Sequence, residues 1–188
     1  MPIILLRFAF CALAMLAALP ASAQDAWPAA KAPGAHILMR HALAPGTGDP
    51  AEFVLGDCAT QRNLSDEGRA QARQIGGRIR DNGVAVDAVL TSRWCRARET
   101  AELLAVGPVT AEPALDSFFQ ERRAAADRTD ALKSRLAALD AAGRKAVMVT
   151  HQVNITALTG IFPASGEIVL VALGPDGAIR VAGRIPSG

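Results

Sequence analysis

Three arginines and two histidines stand where apolar runs of this chain end, and they are the residues best able to do chemistry. Ile37-Leu38-Met39 leads directly to Arg40 and His41. Val89-Leu90-Thr91-Ser92 leads to Arg93 and then Arg96. Val147-Met148-Val149-Thr150 leads to His151. A guanidinium is a permanently charged fork of N–H donors that grips oxyanions through paired hydrogen bonds. An imidazole can serve as nucleophile, base or hydrogen-bond donor near neutral pH. Together these groups suit an anion, with phosphate the obvious candidate. Taken singly, each has a structural explanation: an arginine at a strand end is a solvated cap, and a lone histidine is a hydrogen-bonded core residue. Their recurrence on three runs is what points to a site. A metal centre is the competing chemistry. His41 and His151 have no nearby carboxylate or thiol at ligand spacing, and the adjacent arginines would repel a cation. The expected site therefore holds no metal and no cofactor.

The elements that must position these groups are legible as alternating short apolar runs and longer helical patterns. Strands are predicted over 36–39, 87–91, 146–150, 167–173 and 179–182, with 106–111 a weaker candidate. One helix starts at Ser65, with Asp66 and Glu67 as an anionic first turn, and stops at Gly83. Others are predicted over 94–104, over 128–142 before Gly143, and after His151 to about 158 before Gly160. Gly174-Pro175-Asp176-Gly177 reads as a hairpin turn, and residues 24–34 as an irregular lead-in. This alternation predicts an α/β domain with a mainly parallel central sheet and an antiparallel pair at one edge. Ligand sites in such sheets lie beyond the carboxyl ends of the strands. If the three runs are parallel, their terminal cations converge on one rim.

Composition narrows the classes. The 188 residues are 51% hydrophobic and 20% charged, which suits one domain with a substantial core. A net charge of +2 with no Lys/Arg block and 4% aromatic residues gives no nucleic-acid surface. Residues 1–23 have one cation, Arg7, an apolar stretch over 8–19, and Ala21-Ser22-Ala23 at the end. That is a signal-peptide pattern, and the stretch is short for a bilayer span of about 20 residues. The alternative is an uncleaved anchor. The expectation is one domain over 24–188, periplasmic or secreted, free of the membrane after cleavage. Cys58 and Cys95 then remain as an even pair in an oxidising compartment. Sequence leaves a disulfide and two free thiols as open alternatives, because only geometry brings the Cα atoms into reach.

At the level of motifs the chain resembles the histidine phosphatase superfamily, also called phosphoglycerate-mutase-like. Arg40-His41-Ala42 is similar to its Arg-His-Gly signature. LSDEGRAQA (64–72) is similar to its Leu-Thr-x-x-Gly-x-x-Gln-Ala segment, and TSRWCRARETA (91–101) to its Ser-Ser-Pro-x-x-Arg-Ala-x-Gln-Thr-Ala element. VTHQVNITAL (149–158) resembles the segment of the second catalytic histidine. The elements occur in family order. Three departures stand out: Ala42 for the glycine, Arg93 where proline is common, and Gln152 after the second histidine. The small exported members, including the lipopolysaccharide heptose-phosphate phosphatases, are closest in style.

The resemblance implies a three-layer α/β/α sandwich and a metal-independent phosphomonoesterase acting on a small-molecule phosphate ester. His41 would become phosphorylated, Arg40 and Arg96 would hold the phosphoryl oxygens, and His151 would donate a hydrogen bond to the transferring group. The leaving oxygen needs a carboxylic acid, which relatives place in the region corresponding to 114–127. Glu121 is favoured there, with Asp116 next and Asp127 third. Arg62 could reach the pocket from its loop. Phe118-Phe119 line either the entrance or the core, and His36 has no catalytic part. The alternatives are a phosphomutase, or a catalytically silent phosphate- or phosphosugar-binding protein on the same fold.

Overall fold

The computed structural model describes residues 26–188. The signal peptide expected over 1–23 lies outside them. In chain order the elements are α1 (Trp27–Lys31), β1 (His36–Arg40), α2 (Asp66–Asp81), β2 (Ala88–Thr91), α3 (Cys95–Leu104) and β3 (Val109–Ala111). They continue with α4 (Ala125–Ala141), β4 (Ala146–Thr150), α5 (Gln152–Thr159), β5 (Ile168–Leu173) and β6 (Ile179–Ile185). The strands form one sheet in the order β3-β2-β4-β1-β5-β6. The first four run parallel, whereas β5 pairs antiparallel with β1 and β6 antiparallel with β5. The sheet is thus mixed, with a parallel majority and the predicted antiparallel pair at one edge.

Strand alternation builds the two covering layers. Ile37, Met39, Val147, Val149, Ile168 and Leu170 point to one face, where they meet Ile75 and Ile79 of α2 and Ala101 and Leu104 of α3. Leu38, Met148, Val169 and Val171 point to the other, against Leu132, Leu136 and Leu139 of α4 and Ile155 of α5. All five residues of β4 are buried, as expected for a parallel strand covered on both sides. The result is the three-layer α/β/α sandwich.

Local signals account for most boundaries. The Ser65 side chain accepts the Gly68 N–H and starts α2, and Gly83 ends it at φ +65°. The lead-in expected to be irregular contains the short helix α1, with a proline in its first turn and Trp27 buried against the core. Helix α4 starts at Ala125, three residues before its predicted start at 128, because a 3₁₀ turn over Arg122–Ala124 feeds into it. Strand β6 extends three residues past its predicted end, paired with β5 as far as Ile185.

Candidate active site

The site lies at the carboxyl ends of β2, β4 and β1, which are neighbours in the sheet. Arg40 is level with Thr150, and Thr91 with Val149. The His41 N–H donates to the Thr150 carbonyl at 2.9 Å, extending the ladder one residue beyond β1. The chain leaves β1 through Ala42, whose N–H donates to the Thr100 hydroxyl of α3 at 3.1 Å. Ala42 tolerates its place because Ala105 is the only non-glycine at positive φ among the described residues. These ends open into a cleft of about 650 Å³ whose lining includes Arg40, His41, Arg62, Arg96 and His151. The structure thus brings together Arg40, His41, Arg96 and His151 of the residues read from the strand ends, adds Arg62, and leaves Arg93 outside the lining, paired with Asp116.

His41 is 2% exposed. Its Nδ1 lies 2.8 Å from the Ala42 carbonyl. A carbonyl can only accept, so Nδ1 carries the proton and Nε2 holds the lone pair. The Arg96 Nε–H donates to that Nε2 at 3.3 Å. Burial, then the charge of Arg96, followed by Arg40 and Arg62, push the His41 pKa down to about 3, against a smaller upward pull from Ala42. The ring is neutral over the physiological range.

Arg96 is 3% exposed and ion-paired with Asp49. Its Nη1 donates to Asp49 Oδ1 at 2.5 Å and its Nη2 to Oδ2 at 3.1 Å. The Arg62 N–H (3.2 Å) and the Trp94 indole N–H (3.0 Å) also donate to this carboxylate. Burial pushes the Asp49 carboxyl up, but Arg96, Arg62 and Trp94 outweigh it and hold it below the ordinary value. The Arg62 guanidinium donates to the Gly48 carbonyl at 2.7 Å and to the Ala44 carbonyl. Burial and the charge of Arg96 lower its pKa to about 10. Arg40 donates to the Pro163 carbonyl at 3.0 Å, and its buried Nε has no protein partner.

His151 is the N-cap residue of α5, and its ring centre lies 5.4 Å from that of His41. Its Nε2 is 2.8 Å from the Ser92 hydroxyl, which accepts the Trp94 N–H at 3.2 Å. Its buried Nδ1 has no protein partner. Burial, then His41 and Arg96, depress the His151 pKa well below the ordinary value.

The carboxylates expected from 114–127 are placed elsewhere. Glu121 does not line the cleft: its side chain is 58% exposed and paired with Arg123 at 3.1 Å. Asp116 is fully buried, accepting the Arg93 N–H at 2.9 Å and two bonds from the Arg93 guanidinium. A proline at 93 could not make the first of these bonds. Asp127 is exposed in the first turn of α4. The expectation fails because the loop turns Glu121 outward and Arg93 draws Asp116 inward. His36 is buried and bonded to Asp140, in a structural place. Of the phenylalanines left open, Phe118 and Phe119 both line the cleft.

Asp49 was not singled out in the sequence. Its one signal is its position in a Gly/Pro-rich loop just after His41, the kind of connection that carries function. Cys58 and Cys95 form a disulfide, with Cα atoms 5.7 Å apart. It ties the loop bearing Asp49 and Arg62 to the first residue of α3, next to Arg96.

The fold and cleft together define an α/β sandwich with an arginine-lined anion site around a neutral histidine. Residues 37–125 match the family model described as histidine phosphatase superfamily (branch 1). A 69-residue stretch is 36% identical to the mitochondrial serine/threonine-protein phosphatase Pgam5 of Drosophila virilis, and 38% identical to that of Drosophila grimshawi. The match covers 36% of this chain and about a fifth (21%) of those relatives. Among solved structures, the protein histidine phosphatase SixA complexed with tungstate is 18% identical, with 81% of this chain and 97% of that one covered at a TM-score of 0.57. Mycobacterial glucosyl-3-phosphoglycerate phosphatase is 14% identical, with 80% and 97% covered at a TM-score of 0.59. These structures share the fold.

Proposed function

We propose that this protein hydrolyses phosphomonoesters through a phosphohistidine formed on His41. The observation that carries the reading is the state of that ring: Nδ1–H is tied to the Ala42 carbonyl, so the Nε2 lone pair faces Arg96 inside the arginine-lined cleft. Nε2 attacks phosphorus, the ester P–O bond breaks, and its electron pair leaves on the ester oxygen. Water then attacks the phosphoryl group and the P–N bond breaks. Phosphate departs, the surplus proton passes to solvent, and His41 regains its lone pair. Arg40, Arg62 and Arg96 neutralise the phosphoryl oxygens throughout.

His151 donates to the transferring group. The Ser92 hydroxyl lies 3.4 Å from Asp116 Oδ1 and 2.8 Å from His151 Nε2; with its proton given to the nearer acceptor, Nε2, the ring proton sits on Nδ1, the atom without a protein partner. The arginines supply the positive charge that a metal would otherwise bring, so the reading is metal-independent. Among the described residues, no three His, Cys, Asp or Glu side chains cluster closely enough to hold an ion. The leader-like sequence and the disulfide support action outside the cytoplasm.

The test is hydrolysis of p-nitrophenyl phosphate in EDTA, wild type against His41→Ala, with trapping of an acid-labile phosphoenzyme. Turnover in EDTA that is lost in the variant, with label on His41, is the expected result. Turnover abolished by EDTA, or phosphate binding without turnover, would overturn the reading.

A further inference from the structure

We infer that the substrates of this cleft are aryl phosphates. The inference rests on the phosphatase reading and names its substrate class. Three observations converge on it.

The first concerns the leaving group. Asp49 is the only carboxylate among the described residues lining the cleft, and it is fully engaged by Arg96, the Arg62 N–H and the Trp94 indole. Glu121 faces solvent beside Arg123, and Asp116 is sealed behind Arg93. The ester oxygen therefore leaves without a proton from a side-chain acid. A phenol ionises at about 10, several units below an aliphatic alcohol, so a phenolate can depart unaided. An alkyl ester forfeits the roughly 10²–10⁴-fold that a general acid supplies.

The second concerns the mouth. Phe118, Phe119 and Phe162 line it, beside Val153 and Ala157 of α5. Phe162 is 70% exposed and Phe119 39% exposed. Large apolar rings held open to water around a polar centre mark a binding surface for an apolar group.

The third concerns the polar groups nearby. The Gln152 amide donates to the Thr156 hydroxyl at 2.8 Å, and that hydroxyl donates to the Ile161 carbonyl at 2.7 Å. These bonds commit one Gln152 N–H and the Thr156 hydroxyl proton within their own segment. Apart from the groups around the phosphate, the polar side chains left to read a sugar's hydroxyls are Gln152, Thr47, Ser117 and Arg122, whereas an aromatic ring would stack among the three phenylalanines.

The experiment compares kcat/KM for phenyl phosphate, 1-naphthyl phosphate, glycerol 2-phosphate, glucose 6-phosphate and acetyl phosphate. Acetyl phosphate has a good leaving group but no ring, so it separates the two demands. Phenyl phosphate is expected to exceed both alkyl esters by at least about 100-fold, the low end of the missing acid's contribution. Phe162→Ala or Phe119→Ala is expected to lower the 1-naphthyl to acetyl phosphate ratio about tenfold, as loss of an apolar contact should. Alkyl esters within tenfold of phenyl phosphate would overturn the inference while leaving the phosphatase reading intact. So would a ratio unmoved in both variants. Absence of turnover on every compound would overturn both.

Discussion

The Asp49 carboxylate caps the end of the Arg96 guanidinium while the Nε edge of the same group faces His41 Nε2 at 3.3 Å. Arginine has five N–H donors. Asp49 takes one from each terminal nitrogen and the Arg62 carbonyl a third, at 3.3 Å. Left on the His41 side are Nε–H and the second Nη2–H, the pair that can grip an oxyanion above the attacking nitrogen. Asp49 thus positions Arg96. Both side chains are nearly buried, at 3% and 5% exposure, so removing one partner strands the other charge. Asp49→Ala is expected to destabilise the fold by about 3–5 kcal/mol and to lower kcat/KM. Asp49→Asn, which keeps one acceptor, should fall between. Thermal unfolding and kcat/KM on phenyl phosphate check this, and a variant more active than wild type would show that Asp49 competes with the substrate instead.

The division between what the sequence reveals and what it hides follows from this pair. Arg40, His41, Arg96 and His151 were legible because each follows a short apolar run at a predictable distance, and parallel strands bring such ends to one rim. Asp49 sits in a long loop without periodicity. Its place is set by the Arg62 backbone, the Trp94 indole and the Cys58–Cys95 bridge, none of which repeats at a fixed spacing. Glu121 misled for the same reason: a loop carboxylate is chosen by the path of the backbone, and here Arg123 holds it in solvent. Helix α1 has five residues, too few for an amphipathic period to show.

His151 bonds to Ser92, and this contact has a kinetic consequence. His151→Ala removes a donor aimed at developing charge, and kcat should fall by about 2.7–4 kcal/mol in barrier, 10²–10³-fold. Ser92→Ala leaves the imidazole in place but frees its tautomer, so a smaller loss in the same direction is expected. Single-turnover kinetics check both. A Ser92→Ala loss larger than that of His151→Ala would detach the serine from this role.

Acid should destabilise the protein through the site histidines. His41 falls to about 3, from burial and then Arg96, and His151 falls well below its ordinary value, from burial and then His41. Unfolded histidine titrates near 6.5. Between that value and the folded ones the unfolded chain binds more protons, so stability rises with pH and is lost as pH falls. The slope is about 1.4 kcal/mol per pH unit for each ring. Above about 7 neither contributes. Denaturant unfolding at pH 7 and pH 5 should show a smaller loss in His41→Gln than in wild type, and equal losses would contradict the assignment.

Reduction should weaken both fold and site. The Cys58–Cys95 bridge spans a sequence separation of 37 residues, and closing a loop of that size stabilises by about 4 kcal/mol in the chain-entropy treatment. The connection from β1 to α2 carries Asp49 and Arg62, and the bridge anchors it at Cys58 beside Arg96. Dithiothreitol, or Cys58→Ala with Cys95→Ala, is expected to lower the urea midpoint and also to raise KM, because the arginines lose their common anchor. A lower midpoint with unchanged KM would confine the bridge to stability.

Adjacent glycines in α2 should respond in opposite directions to the same substitution. A Cβ on Gly76 would lie 1.9 Å from the Leu104 carbonyl oxygen, at the close crossing of α2 over the end of α3. The obstacle is backbone, which cannot rotate away, so Gly76→Ala must push the helices apart or strain the turn at Ala105. Overpacking of this kind costs about 1–3 kcal/mol or more. A Cβ on Gly77 meets only the far end of the Arg80 side chain, at 3.9 Å. Gly77→Ala should therefore stabilise by up to about 1 kcal/mol, the helix-propensity gain of alanine over glycine. Helix α3 also carries Arg96, so displacing it moves the guanidinium relative to His41. Gly76→Ala is expected to lose activity along with stability, and Gly77→Ala to lose neither. Melting temperatures and kcat/KM measured side by side decide the matter, and equal effects at the two positions would contradict this helix crossing.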